Sequence, residues 1–113
     1  MSESIKWRTD WQEALEEAKK VNRPLALEFF LEGCHHCGRM VRETHQDPAV
    51  IQALNERFIP IRLEGRGHMD LVQQFQVKGA PTNILFSPEG KEKHRFAGFY
   101  PPEDYLKELA KGD

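Results

Sequence analysis

The stretch Leu25-Ala26-Leu27-Glu28-Phe29-Phe30-Leu31-Glu32-Gly33-Cys34-His35-His36-Cys37-Gly38-Arg39-Met40-Val41 decides how the rest of the chain is read. Its first seven residues are apolar apart from Glu28, as expected of a central strand buried on both faces. Cys37, Met40, Val41 and Thr44 then share one face of a helix, with Arg39, Arg42 and Glu43 pointing outward. Cys34 and Cys37, the only cysteines, sit where strand gives way to helix. Two thiols at this spacing either close into a disulfide or hold one metal ion together. Their place at a strand end, opening a helix, favours redox use.

Only a thiolate attacks a disulfide, so the first cysteine needs its pKa lowered toward ambient pH. A helix N-terminus does this for Cys34, because unpaired backbone N–H groups and the positive end of the dipole face the sulfur. Cys37 lies one turn on, placed to attack a mixed disulfide and release the substrate. The expectation is an accessible nucleophile, Cys34, and a more buried resolving thiol, Cys37. An imidazole from His35 or His36 favours the thiolate by hydrogen bonding or by charge, which stabilises the reduced form and makes the disulfide a better oxidant. The other reading is two solvated histidines on an exposed turn.

Glu28 is the only charge within the apolar strand. A buried carboxylate is costly unless paired or protonated, and a raised pKa would suit it to accept the Cys37 proton. The alternative places Glu28 at a sheet edge, facing water. A metal site built on Cys34, Cys37 and a histidine lacks a second ligand pair, because His45, His68 and His94 stand alone without ligand spacing. The expectation is therefore no metal and no tightly bound cofactor, since electrons pass through the cysteines.

Outward from this stretch, Thr9 or Asp10 caps a helix whose Trp11, Ala14, Leu15 and Ala18 form one apolar face, and Asn22-Arg23-Pro24 ends it. Asp47-Pro48 opens another helix, with Val50, Ile51, Leu54 and Phe58 as its stripe. Phe58 to Leu63 reads as a strand, at an edge or strand start because of Pro60. Met69, Val72 and Phe75 lie on one side of a short helix, with Leu71 alongside. Asn83 to Phe86 and Lys91 to Phe96 flank a Ser87-Pro88-Glu89-Gly90 hairpin turn, and Pro101-Pro102 starts a final helix. The order α-β-α-α-β-α-β-β-α describes an α/β sandwich with parallel and antiparallel strand pairs.

A length of 113 residues fits one domain, residues 1–113, with a single ordinary core. The net charge of -2, from 16 basic and 18 acidic residues, gives no electrostatic reason to expect nucleic acid or an anionic membrane as partner. No apolar stretch approaches the ~20 residues that span a bilayer, so no membrane insertion is expected. Met1 to Trp7 has no signal-peptide pattern, which implies a cytoplasmic protein, or a periplasmic or secreted one whose leader has been removed. A monomer is expected.

Strand, Cys-x-x-Cys, helix, and then Ala80-Pro81-Thr82 before an antiparallel hairpin together resemble the thioredoxin superfamily. Trp11-Gln12-Glu13-Ala14, Asn22-Arg23-Pro24-Leu25 and Asp47-Pro48-Ala49-Val50 resemble the branch that includes thioredoxin-like domains of disulfide reductases and small stand-alone relatives. The resemblance covers the whole chain and implies a thioredoxin-like three-layer sandwich, its mixed central sheet of four or five strands flanked by helices. It implies thiol–disulfide exchange with protein or small-molecule thiols and a redox partner protein. On sequence physics alone Pro81 is a trans turn residue. The resemblance implies instead a cis bond beside the dithiol, with Ala80 and Pro81 in the substrate groove. Thioredoxin itself has Trp-Cys-Gly-Pro-Cys, whereas this chain has Gly33-Cys34-His35-His36-Cys37, and Glu28 replaces the usual buried aspartate. The histidine at His36 resembles the more oxidising members. Two rival readings are a metal-binding module, with zinc, copper or a bridged iron–sulfur group, and an inert interaction domain.

Overall fold

The computed structural model describes residues 3–113. Asp10 opens the first helix, α1 (Trp11–Val21), by accepting the Glu13 N–H at 2.8 Å, one of the donors a first turn leaves bare. Asn22 closes it in the left-handed region, φ 58°. β1 (Leu25–Phe30) follows, then α2 (His35–Arg39), which widens into a π turn at Met40–Thr44. Asp47 caps α3 (Pro48–Arg57), its carboxylate accepting the N–H groups of Ala49 and Val50, both at 3.1 Å. β2 (Ile59–Glu64), a 3-10 turn (Gly65–Gly67), α4 (Met69–Gln74), β3 (Thr82–Phe86), β4 (Glu92–Ala97) and α5 (Pro102–Ala110) complete the chain.

The sheet runs β2-β1-β3-β4. β1 is parallel to β2 and antiparallel to β3, which is antiparallel to β4. Parallel neighbours need a long crossover, and residues 31–58, carrying the cysteines, supply it. Pro60 lies on edge strand β2, where its missing N–H leaves no ladder bond unmade. Its carbonyl accepts the Arg8 N–H at 2.8 Å, and Arg62 N–H donates back to the Arg8 carbonyl at 3.0 Å.

The two faces of β1 divide the core. Leu25, Leu27 and Phe29 pack with Ala14, Ala18, Ile61 and Ile84 on the α1 side. Ala26 packs with Met40, Val50, Leu54, Phe58 and Tyr105 on the other side. By alternation Glu28 belongs to this second face, under the cysteine helix. Two local expectations differ. The regular helix through Thr44 becomes a π turn, the His45 N–H bonding the Met40 carbonyl at 2.9 Å. Met69 is 49% exposed, because α4 has only six residues and docks on the core through Leu71, Val72 and Phe75.

Candidate active site

β1 ends in a tight turn. Gly33 takes φ 80°, a conformation that favours a residue without Cβ, and the Cys34 N–H bonds back to the Leu31 carbonyl at 3.2 Å. Cys34 is thereby the N-cap of α2, and its sulfur accepts the Cys37 N–H at 3.2 Å. The two cysteines are joined in a disulfide, their Cα atoms 5.2 Å apart. Cys34 is half-buried and Cys37 only 2% exposed, the asymmetry the spacing implies. His35 and His36 are both exposed, their rings edge to face at 5.6 Å.

The Ala80–Pro81 peptide bond is cis. The Ala80 carbonyl oxygen lies 3.6 Å from the Cys34 sulfur, so the dithiol and this loop form one surface. The loop is fixed from behind: the Gly98 N–H donates to the Pro81 carbonyl at 2.8 Å, and the Thr82 hydroxyl to the Gly79 carbonyl at 2.6 Å. An apolar groove of about 200 Å³ runs beside Ala80, walled by Phe30, Leu31, Met69, Val72 and Val77.

On β1, Glu28 is fully buried. Its Oε2 accepts Arg62 Nε–H at 2.9 Å, and its Oε1 lies 3.0 Å from His45 Nε2. The register explains Arg62, which stands directly across from Glu28 on β2. The guanidinium is stacked 3.8 Å over the Phe30 ring. Burial pushes the Glu28 pKa up, but the charges and hydrogen bonds of His45 and Arg62 outweigh it and hold the carboxyl below its usual value. The expectation of a raised pKa is thus corrected: the group is central and buried, as read, but its paired cations keep it ionised. Tyr105, buried and close to Glu28, has its phenol pushed well above the ordinary range, by burial first and the carboxylate second.

Two cavities meet at this ion cluster. One, about 280 Å³, is lined by Gly33, Cys34, Cys37, Val41 and Arg62. The other, about 230 Å³, is lined by Trp7, Val41, His45, Gln46 and Arg62. The structure therefore brings Cys34, Cys37, Ala80 and Pro81 together, and Glu28 reaches this surface only through Arg62, which lines the dithiol cavity. His35 and His36 are adjacent in chain but make no hydrogen bond to the Cys34 sulfur among the described residues. No group of three or more His, Cys, Asp or Glu gathers as metal ligands among the described residues.

Sequence reasoning missed Arg62 and His45. The one signal for Arg62 was a lone cation within an otherwise apolar strand, Phe58 to Leu63. His45 gave none.

The sequence profile described as a thioredoxin-like domain matches residues 11–113. The chain belongs to the thioredoxin-like family. Among curated relatives, it is similar to mouse spermatogenesis-associated protein 20, 33% identical over 110 residues, covering 90% of this chain and 14% of that protein. It is also similar to the thiol:disulfide interchange protein DsbD of Ralstonia nicotianae, 28% identical over 109 residues, covering 93% of this chain and 18% of the relative. The chain thus spans less than a fifth of the length of either relative. A solved thioredoxin from Thermus thermophilus superposes with a TM-score of 0.85 at 28% identity, covering 96% of this chain and 87% of that one. A Cys-x-x-Cys disulfide in a thioredoxin-like fold, with such relatives, supports a thiol–disulfide redox role at the level of the family.

Proposed function

We propose that this thioredoxin-like chain, read as one domain over residues 1–113, catalyses thiol–disulfide exchange on protein or small-molecule thiols, with Cys34 as nucleophile and Cys37 as resolving thiol. One observation carries the reading: the half-buried Cys34 sulfur accepts a helix N–H on one side and faces the Ala80 carbonyl on the other, while Cys37 is buried behind it. In the reducing direction, the Cys34 thiolate attacks a substrate disulfide and forms a mixed disulfide as the first substrate thiolate leaves. Cys37 then loses its proton, attacks the Cys34 sulfur and expels the second thiolate, leaving the Cys34–Cys37 disulfide. Ala80 and Pro81 present the substrate backbone, and the groove beside Ala80 receives an apolar side chain. Glu28 stays in the scheme as the buried acceptor of the Cys37 proton. His35 and His36, exposed in the first turn of α2, act on Cys34 through charge and make the disulfide more easily reduced than that of thioredoxin, at about -270 mV. A redox partner protein of the same chemistry restores the starting state.

The test is alkylation of the reduced protein with iodoacetamide across pH. Cys34 is expected to react well below the ordinary thiol pKa of about 8.5, and Cys37 only after denaturation. Equal labelling of both with an unperturbed pH profile overturns the assignment. Insulin disulfides should be reduced by the wild type and not by Cys34→Ser. Equilibration against glutathione, read by mass, fixes the direction, and a potential equal to that of thioredoxin refutes the more oxidising reading.

A further inference from the structure

The groove beside Ala80 owes its depth to a side chain that is not there. Gly65 follows β2 directly, in the 3-10 turn, and is buried. A Cβ at this position would lie 3.2 Å from Leu31 Cδ2 and 3.7 Å from both Val72 Cγ2 and the Phe30 carbonyl oxygen. Phe30, Leu31 and Val72 all wall the groove, so a methyl group there would stand between its sides. The backbone of Gly65 lies outside the left-handed region that favours glycine. The turn itself therefore does not call for glycine, and what its absence of a side chain supplies is space.

That space suits a particular occupant. At about 200 Å³ it admits a phenyl or branched aliphatic side chain, since an apolar cavity of about 150 Å³ holds benzene. Met69 lines it and is 49% exposed, and an unbranched thioether with three rotatable bonds adapts to different apolar shapes. The charged residues in its lining are Arg66 and Lys78, both exposed, and no carboxylate lines it among the described residues. The nearby acids are engaged or set aside. Glu64 lies 3.5 Å from Arg66 but accepts the backbone N–H groups of Glu32, Arg66 and Gly67. Asp70, beside Met69 on α4, is exposed and outside the lining. The lysine ion pairs among the described residues belong to Lys107 and Lys111, which leaves Lys78 free. A chain of net charge -2 thus presents a locally positive rim around an apolar recess.

Ala80 joins this recess to the dithiol, because it lines the groove and its carbonyl oxygen lies 3.6 Å from the Cys34 sulfur. A substrate sulfur bonded to Cys34 leaves the neighbouring residues of its chain, about 3.3 Å apart when extended, to reach the groove. We propose that Gly65 is the specificity-determining residue of the exchange site. The preferred substrate is a protein disulfide whose cysteine has a large apolar side chain within two residues and carboxylates flanking it. The inference rests on the exchange reading above and names its substrate class. The apolar side chain fills the space over Gly65, and the carboxylates meet Lys78 and Arg66. In the exchange, the Cys34 thiolate bonds to one substrate sulfur, the substrate S–S bond breaks, and the second sulfur leaves as thiolate. The groove acts on which disulfide is chosen and not on those bonds.

The test reacts the reduced protein with symmetric disulfides of short cysteine peptides and reads second-order rates by mass. The peptides carry Phe, Leu or Ala within two residues of the cysteine, flanked by Glu or by Lys. Wild type should react with the Phe and Leu peptides at least about tenfold faster than with the Ala peptide, the low end of what burying such a side chain gives. Glu flanks should be favoured over Lys flanks about threefold or more at low salt, and the preference should vanish near 1 M salt. Gly65→Ala, which occupies part of the recess with one methyl group, should cut the ratio of Phe to Ala rates at least about threefold. Lys78→Glu should remove the preference for Glu flanks. Equal wild-type rates for Phe and Ala peptides, equal rates for Glu and Lys flanks, or an unchanged ratio in Gly65→Ala overturns the proposal. If Gly65→Ala does not fold, the exposed Met69 gives the deciding variant: Met69→Gln should lower the same ratio, and an unchanged ratio overturns the proposal. If neither these peptides nor oxidised glutathione react with wild-type Cys34, the exchange reading itself fails. Equal rates across the peptides leave that reading standing and remove only this one.

Discussion

Replacing Arg62 with methionine isolates what the buried ion cluster does for the fold. The substitution keeps an apolar stem over Phe30 but leaves one oxygen of a fully buried carboxylate without its donor. Breaking a buried pair by removing one partner typically costs about 3–5 kcal/mol. His45 still holds the other oxygen, which argues for the low end, about 3 kcal/mol, with the loss of guanidinium stacking on Phe30 adding roughly 0.5 kcal/mol. With a urea slope of about 1–1.5 kcal/mol/M for a chain this size, the denaturation midpoint of the oxidised protein should fall by about 2.3–3.5 M near neutral pH. The pH dependence gives the sharper test. Without Arg62, burial is less opposed and the folded-state pKa of Glu28 rises. The penalty is then largest above that pKa and shrinks as acid protonates the carboxyl, which no longer needs a cation. Glu28→Gln combined with Arg62→Met should recover most of the loss. A midpoint shift below about 0.5 M, or one equally large at pH 4.5 and 7.5, refutes the reasoning.

Two further outcomes follow from the same structure. In the wild type, Glu28 has a folded-state pKa below its ordinary 4.5. Its stabilising contribution is therefore complete above that value and lost as pH falls through the folded pKa. Urea midpoints measured down the acid range should decline below about pH 4.5, and Glu28→Gln should flatten that decline. Asp47→Ala removes the acceptor for two N–H groups of α3, and thermal unfolding should report a loss of about 1 kcal/mol, equivalent to roughly 5 °C.

The central strand, the cysteine junction and the asymmetry of the two thiols were legible because each is local: composition, spacing and a helix start within about four turns. Pro60 signalled its edge position for the same reason, since a missing N–H constrains its own strand. The burial of Glu28 was legible and its ionisation was not. The groups that set it lie 17 residues away in His45 and 34 away in Arg62, and meet it only once the β1–β2 register and the π turn exist. The heptad-like spacing of Cys37, Met40, Val41 and Thr44 suits an ordinary helix, so no pattern announces the wider turn. Met69 carried an apolar label that favours the core. It faces the groove beside Ala80 instead, a use that periodicity cannot distinguish from packing.

The sheet's two outer borders are closed to recruitment by another chain in different ways. On β2, the Arg8 backbone takes the Pro60 carbonyl and offers its own to Arg62, so a stray strand finds these ladder groups already engaged. On β4, no strand lies alongside among the described residues, but Glu92 and Lys93 are exposed and Arg95 half-buried. Docking a second sheet there would crowd charge against charge, a common guard against edge-to-edge aggregation. The backbone of Arg8 on one side and a run of charges on the other thus leave neither border of the sheet as a bare apolar edge.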